Sequence, residues 1–387
     1  MEDYEKKEWV ELEKGEYVRV DGNGNGDPAS GHRSTHVRRR AILFIALLVL
    51  TWHDLLRGAP PATVTRHVDG IPQYVLDYVY ARLKITREIA PLTYLDIAEA
   101  YFPSDIGAQI SNTHPNIPIN ISSTLTVKNL DILNKYGHNG RAIFLTSNTD
   151  VSHLPSWLTG VVPSSSTGAT ENATSCVIIL APKPGGVLDA FYMYFYAYNQ
   201  GNTVLGRELG DHIGDWEHNM IRFVDGEPSA VWFSQHGNGE AFTYAAVEKA
   251  PDGKRPINFS ARGSHANYAV PGAHDHLIPD LNLPAGFLLD YTSKGMLWDP
   301  TLNAYFYNYI ASNHTFEGIN GAPEGALLYR GHWGDKQYPA SDKRQKSFLG
   351  FSKFVSGPTG PRNKGLDRTL VCPDNGIPCI VRERLGP

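Results

Sequence analysis

The stretch GDHIGDWEHNMIRF, residues 210–223, crowds three carboxylates and two histidines around one tryptophan. Asp215 and Glu217 are two residues apart, so in a β-strand their side chains share one face, with Cα atoms roughly 7 Å apart. His212 precedes them in a glycine-flanked turn that can fold its imidazole toward them. One imidazole and two carboxylates suit Ca²⁺, Mg²⁺, Mn²⁺ or Zn²⁺. The pattern therefore predicts a divalent-cation site at His212, Asp215 and Glu217 and leaves the ion open.

Two other interpretations of this run stay open. The carboxylates can pair with arginines such as Arg222, in which case the run only holds strands together. A metal-dependent hydrolase can instead use the same ion to activate water, with His218, His236 or His265 as the general base. The sequence has no nucleophile elbow, no phosphate-cradling P-loop and no HExxH motif, so no complete catalytic constellation is present.

Further histidines and aspartates follow in glycine-rich segments beyond the first run. Six of the fifteen histidines lie between residues 212 and 276. Glycine-flanked polar residues at strand ends are a common way to build a site on a rigid sheet. We expect a polar pocket that includes His218, His236, His265, His274, Asp275 and His276.

The composition bounds the fold class. The chain has 387 residues, is 41% hydrophobic and 11% aromatic, and carries a net charge of −5, which argues against a nucleic-acid partner. Short β-rich runs separated by Gly/Pro turns fill residues 91–356, and DG at 225–226 predicts a hairpin. We expect a mainly β chain, a β-sandwich with appended helices and long loops, followed by a C-terminal wrapping tail at 357–387.

The N-terminal part predicts a link to a membrane. Residues 1–40 are polar and glycine-rich, as in a disordered tail. Residues 41–57 begin with an apolar run directly after three arginines, which is typical of a signal anchor or a signal peptide. Residues 58–90 are expected to form a linker and a helix. The chain would then be held in a membrane through residues 41–56 with its C-terminal domain in a lumen, or be secreted.

Sequons and cysteines are compatible with a secretory location. Four Asn-x-Ser/Thr sequons are candidates for glycosylation, at Asn120, Asn172, Asn258 and Asn313. Cys372 and Cys379 flank a short turn-rich segment and would form a disulfide in an oxidising compartment.

Four segments together carry a family resemblance. They are YFPSDIGAQISNTHP, HIGDWEH, SARGSHANYAVPGAHDH and DYTSKGMLWDP, within the span from Pro91 to Trp333. In this order they resemble the fungal vacuolar protein sorting-associated 62 family. The resemblance implies a role in vacuolar protein sorting at the endomembrane system and does not imply an enzymatic activity.

A second, local resemblance covers about 35 residues around FYMYFYAYNQG and GDWEH. These residues are similar to a segment of the necrosis- and ethylene-inducing-like proteins. Those proteins are secreted β-sandwich cytolysins that use a divalent cation to engage sphingolipid sugar head groups. This resemblance implies cation ligands at His212, Asp215 and Glu217 and a glycan or lipid head group as the partner. The upstream aspartate of that family's ligand set finds only Asn199 or Gln200 here, and Gly214 replaces its second histidine.

Overall fold

The computed structural model describes two separate units of the chain, 1–73 and 74–387. In the first unit the two short strands β1 (Val10–Glu11) and β2 (Tyr17–Val18) pair antiparallel. The residues described are 10–11, 17–18, 73–118, 121–275, 288–348 and 350–385. The predicted polar tail at 1–40 lies almost entirely outside them, and the predicted anchor at 41–57 lies wholly outside. No helix within these ranges is long and apolar enough to cross a bilayer.

An eight-stranded sheet forms the centre of the second unit, with strands numbered in chain order. Its strands, in spatial order, are β19 (Thr315–Ile319), β18 (Ala304–Ile310), β6 (Cys176–Lys183), β7 (Val187–Asn199), β10 (His212–Val224), β11 (Glu227–Gln235), β12 (Asn238–Thr243) and β22 (Val381–Arg382). The pairs β18–β6 and β12–β22 are parallel, and the other neighbours are antiparallel.

A second sheet and several hairpins complete the β-structure. The four-stranded sheet has the order β14 (Asn267–Tyr268), β13 (Ile257–Ser260), β3 (Leu92–Leu95) and β17 (Leu297–Trp298). The two-stranded pairs are β4 (Thr113–Pro115) with β5 (Leu145–Ser147), β8 (Asn202–Val204) with β9 (Arg207–Leu209), β15 (Gly272–Asp275) with β16 (Leu289–Thr292), and β20 (Ser347–Phe348) with β21 (Phe351–Ser352).

Helical structure is short and peripheral. The α-helices are α1 (Gln73–Glu88), α2 (Ile106–Ser111) and α3 (Gly325–Leu328). The 3-10 helices are Ser122–Thr124, Leu130–Lys135, Val151–His153, Ser156–Thr159, Pro300–Asn303 and Pro361–Asn363. The prediction of a mainly β chain is confirmed in the described part of the protein.

The central sheet is covered on both faces, because its middle strands are apolar on both. In β7, Phe191, Met193 and Phe195 join a core that includes residues of α3 and the 3-10 helix at 130–135. The intervening tyrosines, Tyr192, Tyr194 and Tyr196, join a core that includes residues of α1, β3 and β17. Unbroken apolar runs are typical of strands that are buried on both sides.

The predicted hairpin at 225–226 is present between β10 and β11. Asp225 and Gly226 have φ values of 52° and 86°, and two successive positive φ values are the signature of the type I′ turn that closes tight hairpins. This hairpin places Ser234 of β11 against the backbone of His218 in β10, with the hydroxyl accepting from the His218 N–H at 3.0 Å. The pairing fixes which side chains of β11 face those of β10 at the candidate site.

Candidate functional site

The candidate site is built around the first half of β10. Gly214 has a φ of 65°, and a Cβ atom there would lie 2.3 Å from the carbonyl oxygen of Trp333. The position therefore requires both the left-handed backbone and the missing side chain of glycine. Gly214 also accepts a hydrogen bond through its carbonyl from Nδ1 of His212 at 3.0 Å. The glycine thus fixes the orientation of the imidazole that precedes the two carboxylates.

Asp215 forms a buried ion pair with His265. Nδ1 of His265 lies 2.9 Å from Oδ2 of Asp215, and its Nε2 donates to the carbonyl of Tyr101 at 3.0 Å. Burial alone would lower the pKa of His265, but the hydrogen bond to Asp215 and the charge of Glu99 outweigh burial and raise it. Burial alone would likewise raise the pKa of Asp215, but His265 and His212 outweigh it and lower that pKa. The pair is therefore imidazolium and carboxylate.

Glu217 lies on the same strand face and shares the field of Asp215. Its Oε2 accepts a short hydrogen bond from the hydroxyl of Ser234. Burial and the negative charge of Asp215 raise the pKa of Glu217 to about 7. Near neutral pH the two carboxylates therefore compete for positive charge, since like charges in a buried site disfavour ionising both.

His212 has the protonation state of a metal ligand. Burial lowers its pKa, so the imidazole is neutral near pH 7. Its Nδ1 donates to Gly214, because a carbonyl oxygen can only accept. The proton on Nδ1 leaves Nε2 with a lone pair, which is how ligating histidines are commonly held.

The donor types at this site fit a divalent cation, while their present positions do not yet enclose one. Within the described ranges, no three His, Cys, Asp or Glu side chains are placed to hold a metal ion. Oδ2 of Asp215 is taken by His265, and Oε2 of Glu217 is taken by Ser234. Binding an ion through His212, Asp215 and Glu217 would therefore require these side chains to rotate.

Among the residues that the structure describes, no arginine pairs with the two carboxylates, so the ion-pair interpretation of the sequence is wrong in its choice of partner. Arg222 instead binds Asp189 at 2.7 Å on the same sheet. The actual partners, His265 and Ser234, are a loop histidine and a neighbouring-strand hydroxyl. Asp215 is therefore paired with an imidazolium, and Glu217 is hydrogen-bonded to a neutral hydroxyl.

Near the first cluster, another buried carboxylate, that of Asp290 in β16, accepts several hydrogen bonds. It accepts from Nε2 of His236 at 2.7 Å and from the hydroxyls of Tyr268 and Ser264, each at 2.8 Å. The side chain of His236 remains 26% exposed. Burial alone would lower the pKa of His236, and the charge of Asp290 outweighs it, so the pKa is raised. His236 is therefore a partly accessible imidazole that Asp290 holds at the edge of the polar cluster.

The other pocket candidates are distributed differently. His274 of β15 stacks on Tyr268 with ring centroids 3.8 Å apart, and its Nε2 contacts the hydroxyl of Thr292. Asp275 lies at the end of the same strand, and His276 lies outside the described residues. His218 points to the opposite face of β10, where its Nε2 is 3.4 Å from Arg368. Burial lowers the pKa of His218 well below its usual value.

Sequence reasoning missed two contributors to this cluster, Glu99 and Ser234. Glu99 accepts from the Gly263 N–H at 2.9 Å and lies 3.8 Å from Nε2 of His265. Nothing in the local sequence around Glu99 or Ser234 indicates a site. Glu99 reaches the cluster through the pairing of distant segments, whereas Ser234 reaches it through the β10–β11 hairpin, whose register shifts between Arg222 and Phe223.

The glycosylation candidates differ in accessibility. Asn172 and Asn313 are exposed, whereas Asn258 of β13 is fully buried. The Asn258 amide donates to Thr93 at 3.1 Å and to Asn267 at 2.5 Å. A glycan therefore has no room at Asn258 in the folded protein. Asn120 lies outside the described residues.

The C-terminal segment is fastened to the central sheet. Cys372 and Cys379 form a disulfide. The strand β22, which follows the disulfide, pairs in parallel with β12 at the sheet edge. The same segment supplies Arg368, which is buried beside His218 and within 5.0 Å of the Phe191 ring centroid.

In comparison with known proteins, the sequence of this chain matches one family. The family described as vacuolar protein sorting-associated protein 62 matches residues 182–350. The putative vacuolar protein sorting-associated protein TDA6 of Saccharomyces cerevisiae is 36% identical over 346 residues, which cover 79% of this chain and 69% of that protein. Vacuolar protein sorting-associated protein 62 of the same yeast is 34% identical over 359 residues, which cover 82% of this chain and 73% of that protein.

A solved structure gives a much weaker likeness. A crystal structure of the non-toxic HaNLP3 protein aligns with 64% of this chain and 79% of its own, at 11% identity and a TM-score of 0.26. A similarity of this size supports no argument about this chain.

Proposed function

Because this chain belongs to the vacuolar protein sorting-associated protein 62 family, we propose that it acts in vacuolar protein sorting as a β-sandwich protein of the endomembrane system. Its relatives are named for that process, and two thirds or more of each relative is covered by the match. The family assignment supports the process and leaves the molecular event to be argued from the site.

The molecular event that we propose is recognition of a glycan or a lipid head group through a divalent cation. The ion would be held by His212, Asp215 and Glu217, and its open coordination positions would take hydroxyl or phosphate oxygens of the ligand. The observation that carries this proposal is the orientation of His212, with Nδ1 donating to Gly214 and Nε2 keeping its lone pair, on the same strand as Asp215 and Glu217. Ca²⁺, Mg²⁺, Mn²⁺ and Zn²⁺ all accept such ligands.

Loading the ion would change the state of Glu217. A bound cation requires an ionised carboxylate, whereas the pKa of Glu217 is raised to about 7 by burial and by Asp215. The cation would replace the proton on Glu217 and relieve its repulsion with Asp215. The buried charge of the two carboxylates thus provides a driving force for binding.

The proposed location is a lumen, with residues 41–56 as the membrane attachment or the secretion signal. The disulfide between Cys372 and Cys379 supports this placement, because such bonds persist in oxidising compartments. The exposed sequons at Asn172 and Asn313 are the candidates for glycosylation in that setting.

Metal content of the purified full chain tests the cation proposal. We expect a near-stoichiometric divalent ion by mass spectrometry and a rise in thermal stability that EDTA reverses. The Asp215→Asn/Glu217→Gln double variant should lose both effects. Its charge-matched control is Glu171→Gln/Glu227→Gln, which changes two exposed glutamates away from the site. A folded wild-type protein that binds none of the four ions would overturn the proposal.

A further inference from the structure

A second cavity lies beside the candidate site and has a different character. Its volume is about 420 Å³. The aromatic side chains of Tyr101, Tyr198 and Phe354 line it, and the rings of Tyr101 and Tyr198 are 4.8 Å apart. The carbonyl of Tyr101 also receives the hydrogen bond from His265. The cavity therefore shares Tyr101 with the carboxylate cluster.

Cations line this cavity although the whole chain is acidic. Its lining includes Lys343, Arg344, Lys346 and Lys353 against one carboxylate, Glu208. Carboxylates offset part of this charge, because Lys353 pairs with Glu208 and Asp211, and Arg344 pairs with Asp150 and Asp342. A smaller cavity of about 190 Å³ is lined by three of the same residues, Glu208, Lys346 and Lys353, and adds a further cation, Arg207.

Two of these cations are fixed by carboxylates. Lys353 contacts Glu208 and lies 2.6 Å from Oδ2 of the buried Asp211. Arg344 lies 2.6 Å from Asp342, and its guanidinium rests 4.0 Å from the centroid of the Tyr338 ring. These contacts hold the ammonium group of Lys353 and the guanidinium group of Arg344 in place. Little conformational entropy would therefore be lost when a ligand contacts them.

The other cations have no carboxylate partner among the described residues. Lys343 and Lys346 are exposed and form no ion pair there. Arg207 is exposed and lies over the ring of Phe348, with its Cζ atom 5.0 Å from the ring centroid. Lysines without an ion pair, next to cations that carboxylates hold in place, suit the binding of a multivalent anion.

We propose that this cavity binds a phosphate monoester carried on a sugar or inositol ring. The unpaired Lys343 and Lys346 would contact the phosphate oxygens, and the side chain of Leu154, which lines the cavity and is 49% exposed, would contact the apolar face of the sugar or inositol. A volume of about 420 Å³ falls within the usual range for small-ligand sites. This site goes beyond the cation site and does not depend on it.

The ligand can come from a lipid or from a soluble compound, and the binding assay distinguishes the two. The full chain is mixed, in the presence of EDTA, with phosphatidylcholine vesicles that contain a phosphoinositide and with vesicles that contain phosphatidylserine at equal charge. Calorimetry with a soluble inositol phosphate and with glucose 6-phosphate forms the second arm. Binding to the phosphoinositide vesicles alone assigns a lipid, and binding to the soluble phosphates assigns the free compound.

The variant Lys343→Ala/Lys346→Ala tests the residues. Loss of two charge-assisted contacts should weaken binding by about tenfold or more. The variant Lys128→Ala/Lys135→Ala removes the same charge from two exposed lysines elsewhere and should bind within about twofold of wild type. Equal losses in both variants, or no binding of wild type to any of these probes, would overturn the proposal. Thermal unfolding of each variant checks that it is folded.

Discussion

Nδ1 of His265 lies 2.9 Å from Oδ2 of Asp215, and the two side chains are 0% and 7% exposed. The pair connects β10 to the turn between β13 and β14, across 50 residues of sequence. The His265 ring is also stacked on Tyr196, with centroids 3.7 Å apart and planes within 4°. The central sheet and the four-stranded sheet are thus joined by one charged and one aromatic contact of the same imidazole.

Removing His265 should strongly destabilise the fold. His265→Ala leaves the Asp215 carboxylate buried without its cation and also removes the stack on Tyr196. Loss of one partner of a buried ion pair costs about 3–5 kcal/mol. Urea denaturation should show this decrease in the free energy of unfolding. The exposed His153 provides the control, since His153→Ala should change stability by less than about 0.5 kcal/mol.

Glu217 should make stability depend on pH. Its pKa is raised from 4.5 to about 7 in the fold, so the folded state binds more protons than the unfolded state between these values. The stabilisation is fully present below about pH 4.5 and is lost as the pH rises through 7. The loss is on the order of 3 kcal/mol.

Glu217→Gln should remove this contribution. The difference in unfolding free energy between wild type and variant, measured from pH 4.5 to 8, isolates it from other titrating groups. The variant should gain stability relative to wild type as the pH rises. Glu171→Gln, at an exposed position, should show no such trend. A constant difference between wild type and Glu217→Gln across the range would contradict the raised pKa.

Part of this arrangement was predictable because its signals are local. The two-residue period of a strand puts Asp215 and Glu217 on one face, and the DG turn indicates the β10–β11 hairpin. The aromatic run of β7 also indicates a strand that is covered on both faces.

The rest depends on contacts that no local pattern indicates. Neither His265 nor Ser234 is marked by its neighbours as the partner of a carboxylate in β10. The sequon at Asn258 has the correct three-residue pattern, yet the parallel pairing of β13 with β3 buries it. Sequence patterns therefore identified the strand that carries the site better than the side chains that complete it.

Affinity for a divalent cation should increase with pH. Ion binding through Glu217 must displace a proton below its pKa of about 7. The affinity should therefore rise by about tenfold per pH unit up to that value and then level off. Calorimetric titration of the full chain with each ion at several pH values measures this slope. In Glu217→Gln the slope should disappear together with most of the affinity, and an unchanged slope would place the displaced proton on another group.

The backbone at Gly214 provides the sharpest test of how the strand positions His212. Gly214→Ala should destabilise the protein by more than the left-handed conformation alone costs, because its Cβ would lie 2.3 Å from the Trp333 carbonyl. Gly226 is the matched control, since it has a φ of +86° and a Cβ added there would meet nothing within 4 Å. Gly226→Ala should therefore cost only about 1–2 kcal/mol. Urea denaturation of both variants compares the two costs directly. Equal losses would mean that Trp333 can move away, and His212 would then not be held by a rigid turn.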